Sequence, residues 1–480
     1  MLFVANEFAW FFLIVLPLAW LTRPHLGVWK VVMIVAGLVF YGWWRRGEED
    51  WWLLGTVPGR YCAYLLLFAL INWGLARLAH SLRRSGRATN PVVALACVVD
   101  LGALFWFKYA EWAAGQLNDR VGSDMRLGQI ILPIGVSFIA FQALGYVIDV
   151  HRGGQEPISL SDFTCYLLFF PHIVAGPLVR VSEFVPQLYA PADPRRVDAS
   201  RALLLIASGF IKKVIISSYV FKEIVEPVFA NPTAYGAVDN LVATYAYAVQ
   251  IYCDFSGYTD IAIGIALLLG IQFPQNFDNP YRSLSMQEFW RRWHMTLSRW
   301  LRDYLYVGLG GNRRGEARTY VNLFLVMIIG GLWHGANTTF IIWGAIHGTA
   351  LVVERFFKGR WPLSLGPAGA VFRWLATFNV VCLAWIFFNA RSVTVAFDMI
   401  GQILGIFHGD FGLPAEFVTT GLLLVIALVL ASQFVPEDVG PTIVRQFSAL
   451  PAISQGVILG MVMVVCYRFG SVDEFIYFQF

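Results

Sequence analysis

Two histidines stand where an ionisable ring is costly. His334 lies about halfway along the apolar run Tyr320–Ile346, YVNLFLVMIIGGLWHGANTTFIIWGAI, which contains no Asp, Glu, Lys or Arg. A polar ring at that depth in a membrane is a functional-site hypothesis by default. Gly330, Gly331 and Gly335 strip side-chain bulk from its surroundings, so another backbone or a substrate can come close. The competing reading is a ring that packs and hydrogen-bonds between helices. His294 sits in Ser283–Val307, SLSMQEFWRRWHMTLSRWLRDYLYV. Read as one helix, this segment puts Arg291, Arg299 and Arg302 on one side with Glu288. Trp290, His294, Leu297, Leu301 and Leu305 fall on the other. An interfacial helix, with arginines on phosphate head groups and tryptophans at the membrane boundary, accounts for that pattern. It leaves His294, on the apolar side, unexplained.

A neutral imidazole titrates near pH 6.5 and lower when buried, so it can take a proton from a hydroxyl without carrying a permanent charge. That suits acyl transfer, in which a general base deprotonates an attacking hydroxyl and an acyl thioester is the electrophile. Other candidates are weaker. On an unbroken helix His347 lies thirteen residues beyond His334, roughly 220° round the axis, and shares no site with it unless the helix breaks at Gly335. His172, in the interrupted segment Phe163–Val179, lines a cavity or serves structure. Asp254, near the start of an apolar run in YCDFSGYTDIAIG, caps a helix or pairs with an arginine more readily than it acts as a catalytic acid. His25, His80, His151 and His408 lie near span ends and are most simply solvated or interfacial. No HxxxH or HExxH spacing points to a metal, and no phosphate loop, dinucleotide fingerprint or GxSxG elbow is present.

These residues must be positioned by membrane helices. The 480 residues are 58% hydrophobic and 14% charged, against about 25% charged in a soluble domain. With a mean hydropathy of +0.62, most of this surface must face lipid or other helices. Spans are expected near Phe8–Leu21, Val28–Trp44, Tyr61–Leu78, Val92–Tyr109, Ile130–Val150, Ala202–Val220, Asn240–Gln250 running on towards Ile271, Tyr320–Ile346, Phe372–Phe388, Val418–Phe434 and Ile453–Cys466. That is about eleven crossings in an all-α polytopic protein. Phe163–Val179, broken by Pro171, His172, Gly176 and Pro177, reads as a re-entrant or interrupted helix. The basic loops after the first and third spans, with Arg23, Lys30, Arg77, Arg83, Arg84 and Arg87, predict a cytoplasmic side there and an N-terminus outside. The N-terminal run lacks a basic n-region and a cleavage motif, as expected of an uncleaved first helix. A net charge of +4 argues against a nucleic-acid partner. The six cysteines form no CxxC pair and read as buried small residues. Without an internal repeat or polar linker, residues 1–480 read as one membrane domain.

The run NFDNPYRSLSMQEFWRRWHMTLSRWLRDYLYVGLGGNRRG, followed by NLFLVMIIGGLWHGANTTFIIWGAIHG, strongly resembles the membrane-bound O-acyltransferase (MBOAT) family. The likeness extends to FYGWWRR, LPIGVSFIAFQALGYVIDV, FFPHIVAGPLVR, QIYCDFSGYTDIAIG and FIYFQF, and is densest between Leu132 and Gly348. It is closest to the bacterial branch that O-acetylates alginate, related exopolysaccharides or peptidoglycan. The resemblance implies a ring of tilted helices around a central tunnel, with residues 132–348 as catalytic core. It makes His334, in Trp333-His334-Gly335, the general base, and gives His294 a supporting position. Trp333, Asn337, Trp293, Asp254 and His172 become candidates for the tunnel or substrate. It implies no bound cofactor, acetyl-CoA as donor substrate, and Arg291, Arg299 and Arg302 as donor-binding candidates in competition with lipid phosphate. Implied surroundings are membrane lipid of the bacterial inner membrane, an exported polysaccharide acceptor, and a periplasmic SGNH-type acetyltransferase partner. A second branch passes D-alanine from a carrier protein to teichoic acid and is the alternative enzyme. A glycan-precursor channel or flippase is the alternative outside catalysis.

Overall fold

The computed structural model describes residues 3–43, 57–122, 127, 130, 132–191, 193–358, 366–409 and 418–469, and all regular structure among them is helical. The FIYFQF motif and the Trp44–Arg46 end of FYGWWRR lie outside the described residues. The chain divides into two compact units, Met1–Ile206 with Thr259–Pro274, and Ala207–Tyr258 with Gln275–Phe480.

The first unit begins with α1 (Asn6–Thr22) and α2 (Leu26–Gly42), then the longer α3 (Val57–Arg84) and α4 (Asn90–Val121). Proline in its first turn starts α4, where a missing N–H costs nothing, and Gly122 ends it in the left-handed region at φ 66°. Leu66, Leu67 and Leu70 of α3 and Val98, Phe105 and Trp106 of α4 are exposed, as lipid-facing side chains are. On the inner faces Asn72 Nδ2 donates to Asp100 Oδ1 at 2.9 Å. Both helices pack on α5 (Val136–Arg152), which Gly135 and Gly153 bracket at φ 71° and 80°. The Pro-rich segment is interrupted as the sequence requires. It holds α6 (Leu160–Leu167), capped by Ser159, the single turn α7 (Phe170–Ile173), and after a non-helical stretch α8 (Val181–Tyr189).

A continuous apolar helical run, Ala199–Ala230, comes next. It comprises α9 (Ala199–Phe210), α10 (Ser218–Val220) and α11 (Glu226–Ala230), joined by π-helical turns at Ile211–Ser217 and Phe221–Val225. α12 (Ala237–Leu268) supplies residues to both units. The second unit continues with α13 (Met286–Arg292), α14 (Met295–Trp300), α15 (Glu316–His334), α16 (Thr338–Lys358) and α17 (Gly366–Asn389). α18 (Val393–Leu404), α19 (Thr420–Ser432), α20 (Val439–Ser448) and α21 (Ala452–Phe469) complete it. Among the described residues six helices are long and apolar enough to cross a bilayer, and five shorter apolar helices accompany them. The protein is therefore a multi-pass membrane protein.

Two segments depart from the helices expected of them. Tyr320–Ile346 is not one crossing: α15 ends at His334, and α16 starts at Thr338. The two halves fold back as an antiparallel hairpin. A Cβ added to Gly331 would strike the Phe340 carbonyl, one on Gly344 the Met327 carbonyl, and one on Gly348 the Phe324 ring. Those pairs step in opposite directions along the two helices, and only glycine lets the backbones come so near. Gly331→Ala is expected to lower the thermal unfolding midpoint of the detergent-solubilised protein, by a strain of about 2 kcal/mol, because the obstacle is backbone and cannot swing away. An unchanged midpoint would refute the close approach.

Ser283–Val307 is likewise not one helix, since it breaks between α13 and α14 at Trp293 and His294. The reason is a neighbouring extended stretch that competes for its hydrogen bonds. Asp278 N donates to the Arg292 carbonyl, and Met295 N donates to the Asn276 carbonyl, both at 2.9 Å.

Candidate active site

The break in the basic segment puts His294 in a conformation that costs energy. It is one of two non-glycine residues at positive φ among the described residues, at φ 43°. Such strain, about 1–3 kcal/mol, persists only where the surroundings over-determine it, and it concentrates at functional sites. Asn276 does this here. Its Oδ1 accepts from Thr296 N at 3.2 Å and from Thr296 Oγ1 at 2.8 Å, and lies 3.2 Å from His294 Nδ1. An oxygen already accepting two hydrogen bonds can only accept a third, so His294 carries its proton on Nδ1 and keeps the lone pair on Nε2. The ring is fully buried, edge-on to Phe255 at 4.7 Å, and burial pushes its pKa down to about 3. It is neutral at physiological pH. The role of Asn276 was not evident from sequence, because the residue lies eighteen positions away and belongs to no helix period.

His334, the last residue of α15, is 4% exposed. Its ring meets Trp333 at 4.9 Å, Trp343 at 5.1 Å and Phe388 at 5.1 Å, each edge to face. Trp333 also lies 6.3 Å from the His294 ring, so one indole touches both histidines. Trp293 joins the same aromatic mass through Phe277 and Trp385, each at 5.0 Å. The hairpin sets which residues of α16 meet His334. Because α16 turns back, Trp343 reaches His334, and His347 lies 4.8 Å beyond Trp343. The 220° separation that an unbroken helix would impose does not apply.

Asn337 closes the turn between the two helices: its Oδ1 accepts from Thr339 N and its Nδ2 donates to the Arg391 carbonyl. Asp254, 5% exposed, lies inside α12 and so does not cap that helix, and its ion pair is with a lysine in place of the expected arginine: Lys213, itself 3% exposed, on the π-helical turn Ile211–Ser217. The pair stands beside Phe255, the ring that supports His294. His172 belongs to the first unit, where Nε2 lies 2.7 Å from the Tyr166 carbonyl and the ring stacks on Phe273 at 5.5 Å.

Arg291, Arg299 and Arg302 line a single cavity of about 740 Å³, together with Trp290, Arg355, Glu354 and the apolar Leu323, Val326 and Met327. Four arginines against one glutamate make the lining suited to an anion. Arg302 is held by Asp303 at 2.7 Å. Glu288, which periodicity placed with these arginines, instead caps α13 and holds Arg292 at 3.0 Å. Trp290 and Leu301, expected on the opposite side, line the cavity, because the break at His294 resets the helical phase. Trp290 is also 5.7 Å from Trp343 and 5.1 Å from His347. The cavity wall and the setting of His334 are thus one aromatic cluster.

A buried histidine joined through Trp343 and Trp290 to an arginine-lined cavity, in a helical membrane protein, is an arrangement compatible with moving an acyl group. Residues 154–397 match the membrane-bound O-acyltransferase family, and the chain belongs to it. The protein is an acyltransferase. It is 39% identical over 412 residues, 83% of this chain and 74% of the relative, to the Pseudomonas aeruginosa protein named "probable alginate O-acetylase". A namesake from Azotobacter vinelandii is 37% identical over 464 residues, 94% and 86% of the two chains. The peptidoglycan O-acetyltransferase of Helicobacter pylori is 32% identical over 404 residues, 78% and 74%. The teichoic acid D-alanyltransferase of Streptococcus thermophilus shares 29% over 283 residues, 53% and 68%.

Proposed function

We propose that this protein takes an acetyl group from cytoplasmic acetyl-CoA and passes it outward through the bacterial inner membrane, to O-acetylate an exported polysaccharide such as alginate. The final transfer is direct or goes through a periplasmic SGNH-type partner. The observation that carries this reading is the joining of the arginine-lined cavity to the setting of His334 through Trp290 and Trp343. In the reaction His334 accepts the proton of an acceptor hydroxyl, and the oxygen attacks the thioester carbonyl. The C–S bond breaks, and the departing thiolate recovers the proton. His294 supports the site from across Trp333, and the arginines hold the donor phosphates. The relatives named for O-acetylation align over more of this chain than the D-alanyltransferase does, which favours acetyl over D-alanyl.

Transfer of radiolabelled acetyl from acetyl-CoA in inverted membrane vesicles tests the reading. Label is expected in lumenal, alkali-labile ester. Arg299→Ala combined with Arg302→Ala should raise KM for acetyl-CoA by about tenfold or more, the scale of losing charge-assisted contacts. The effect on kcat should be smaller, since these side chains hold ground state and transition state alike. An unchanged KM would assign the arginines to lipid phosphate instead.

A further inference from the structure

Behind Trp290 the aromatic cluster holds a polar group that this chemistry does not use. His347 is fully buried, with its ring 4.8 Å from Trp343, 5.1 Å from Trp290, 6.1 Å from Phe289 and 6.3 Å from Trp385. Neither Nδ1 nor Nε2 has a hydrogen-bond partner among the described residues, and the same holds for Nε1 of Trp290 and of Trp343. Burying such groups unpaired costs about 1–3 kcal/mol each, so a cluster of them beside a cavity points to a ligand that pairs with them. A phenylalanine at this position would carry no such polar cost.

The neutral imidazole offers one donor and one acceptor, the complement of a secondary amide. Thioester donors built on phosphopantetheine carry secondary amides along the arm that joins their phosphate to the acyl sulphur. With phosphate on the arginines of the cavity that Trp290 lines, an arm extending past Trp290 would reach His347, whose ring is 5.1 Å from that indole. We infer that His347 is a positioning residue that hydrogen-bonds an amide of a phosphopantetheine arm, with Trp290 turned aside, and so presents the thioester to His334 across Trp343. The inference rests on the thioester-donor reading. It does not depend on whether the arm belongs to coenzyme A or to an acyl carrier protein.

The test uses the full chain in lipid nanodiscs and the variant His347→Phe, which keeps an aromatic ring of somewhat larger size and removes the nitrogens. Its unfolding midpoint should equal or exceed that of the wild type. Its preference for acetyl-CoA over S-acetyl-mercaptoethanol, a thioester without amides, should fall about tenfold, the scale of one hydrogen bond, with the loss appearing in KM. His347→Gln, which retains a donor and an acceptor, should recover part of that preference. An unaltered preference in His347→Phe overturns the inference, as does an equal loss with both donors and a lowered midpoint, which would mark a packing residue. Should the wild type use acetylated carrier protein and not acetyl-CoA, the coenzyme assignment fails, and the same comparison made with the carrier decides the role of His347. Transfer from neither thioester overturns both readings.

Discussion

His334→Ala is expected to abolish acetyl transfer while leaving a folded protein in the membrane. A positioned general base contributes about 10²–10⁴-fold, and the rings around His334, those of Trp333, Phe340, Trp343 and Phe388, cannot take a proton in its place. Water would have to replace it in a setting that excludes water. Truncation leaves a void between aromatic rings, but it also removes a buried polar group, so the net loss of stability should stay moderate. His334→Gln separates the roles: it keeps size and hydrogen bonding but cannot accept a proton, and it too should be inactive. The measurement is ester label in inverted vesicles at matched expression. Full activity in purified His334→Ala would sink the mechanism.

The second large effect concerns stability. Asp254→Leu and Lys213→Met each leave a buried charge without its counter-ion, and removing one partner of such a pair typically costs about 3–5 kcal/mol. The double variant, apolar on both sides, should regain much of the loss, because two desolvated charges are replaced by packed surface. Thermal unfolding in detergent reads both outcomes. The single variants should also lose transfer, since Phe255, next to Asp254, supports the His294 ring at 4.7 Å. A single variant with the wild-type midpoint would show that the pair is not a structural lock.

The features legible along the chain came from local physics. Composition demanded membrane helices, and apolar stretches of bilayer-spanning length located most of them, including α3, α4, α12 and α17. Proline and glycine marked the interruption between α6 and α8. The absence of charge around His334 singled that residue out. Arg291, Arg299 and Arg302 were grouped by helical phase and do share a cavity, although the helix that suggested it is broken at His294.

The sequence by itself therefore determined a polytopic membrane protein, the buried histidine and the basic group, because each is a matter of residue type against a uniform apolar background. Tertiary structure decided which rings meet. The turn at Gly335 brings His347 back towards His334, the stretch around Asn276 imposes the left-handed backbone and the tautomer of His294, and Lys213 supplies the counter-charge of Asp254. Each of these depends on hydrogen bonds or close backbone approach between residues far apart in the chain. A periodicity argument assumes a continuous helix, so it fails at the breaks where the site is built.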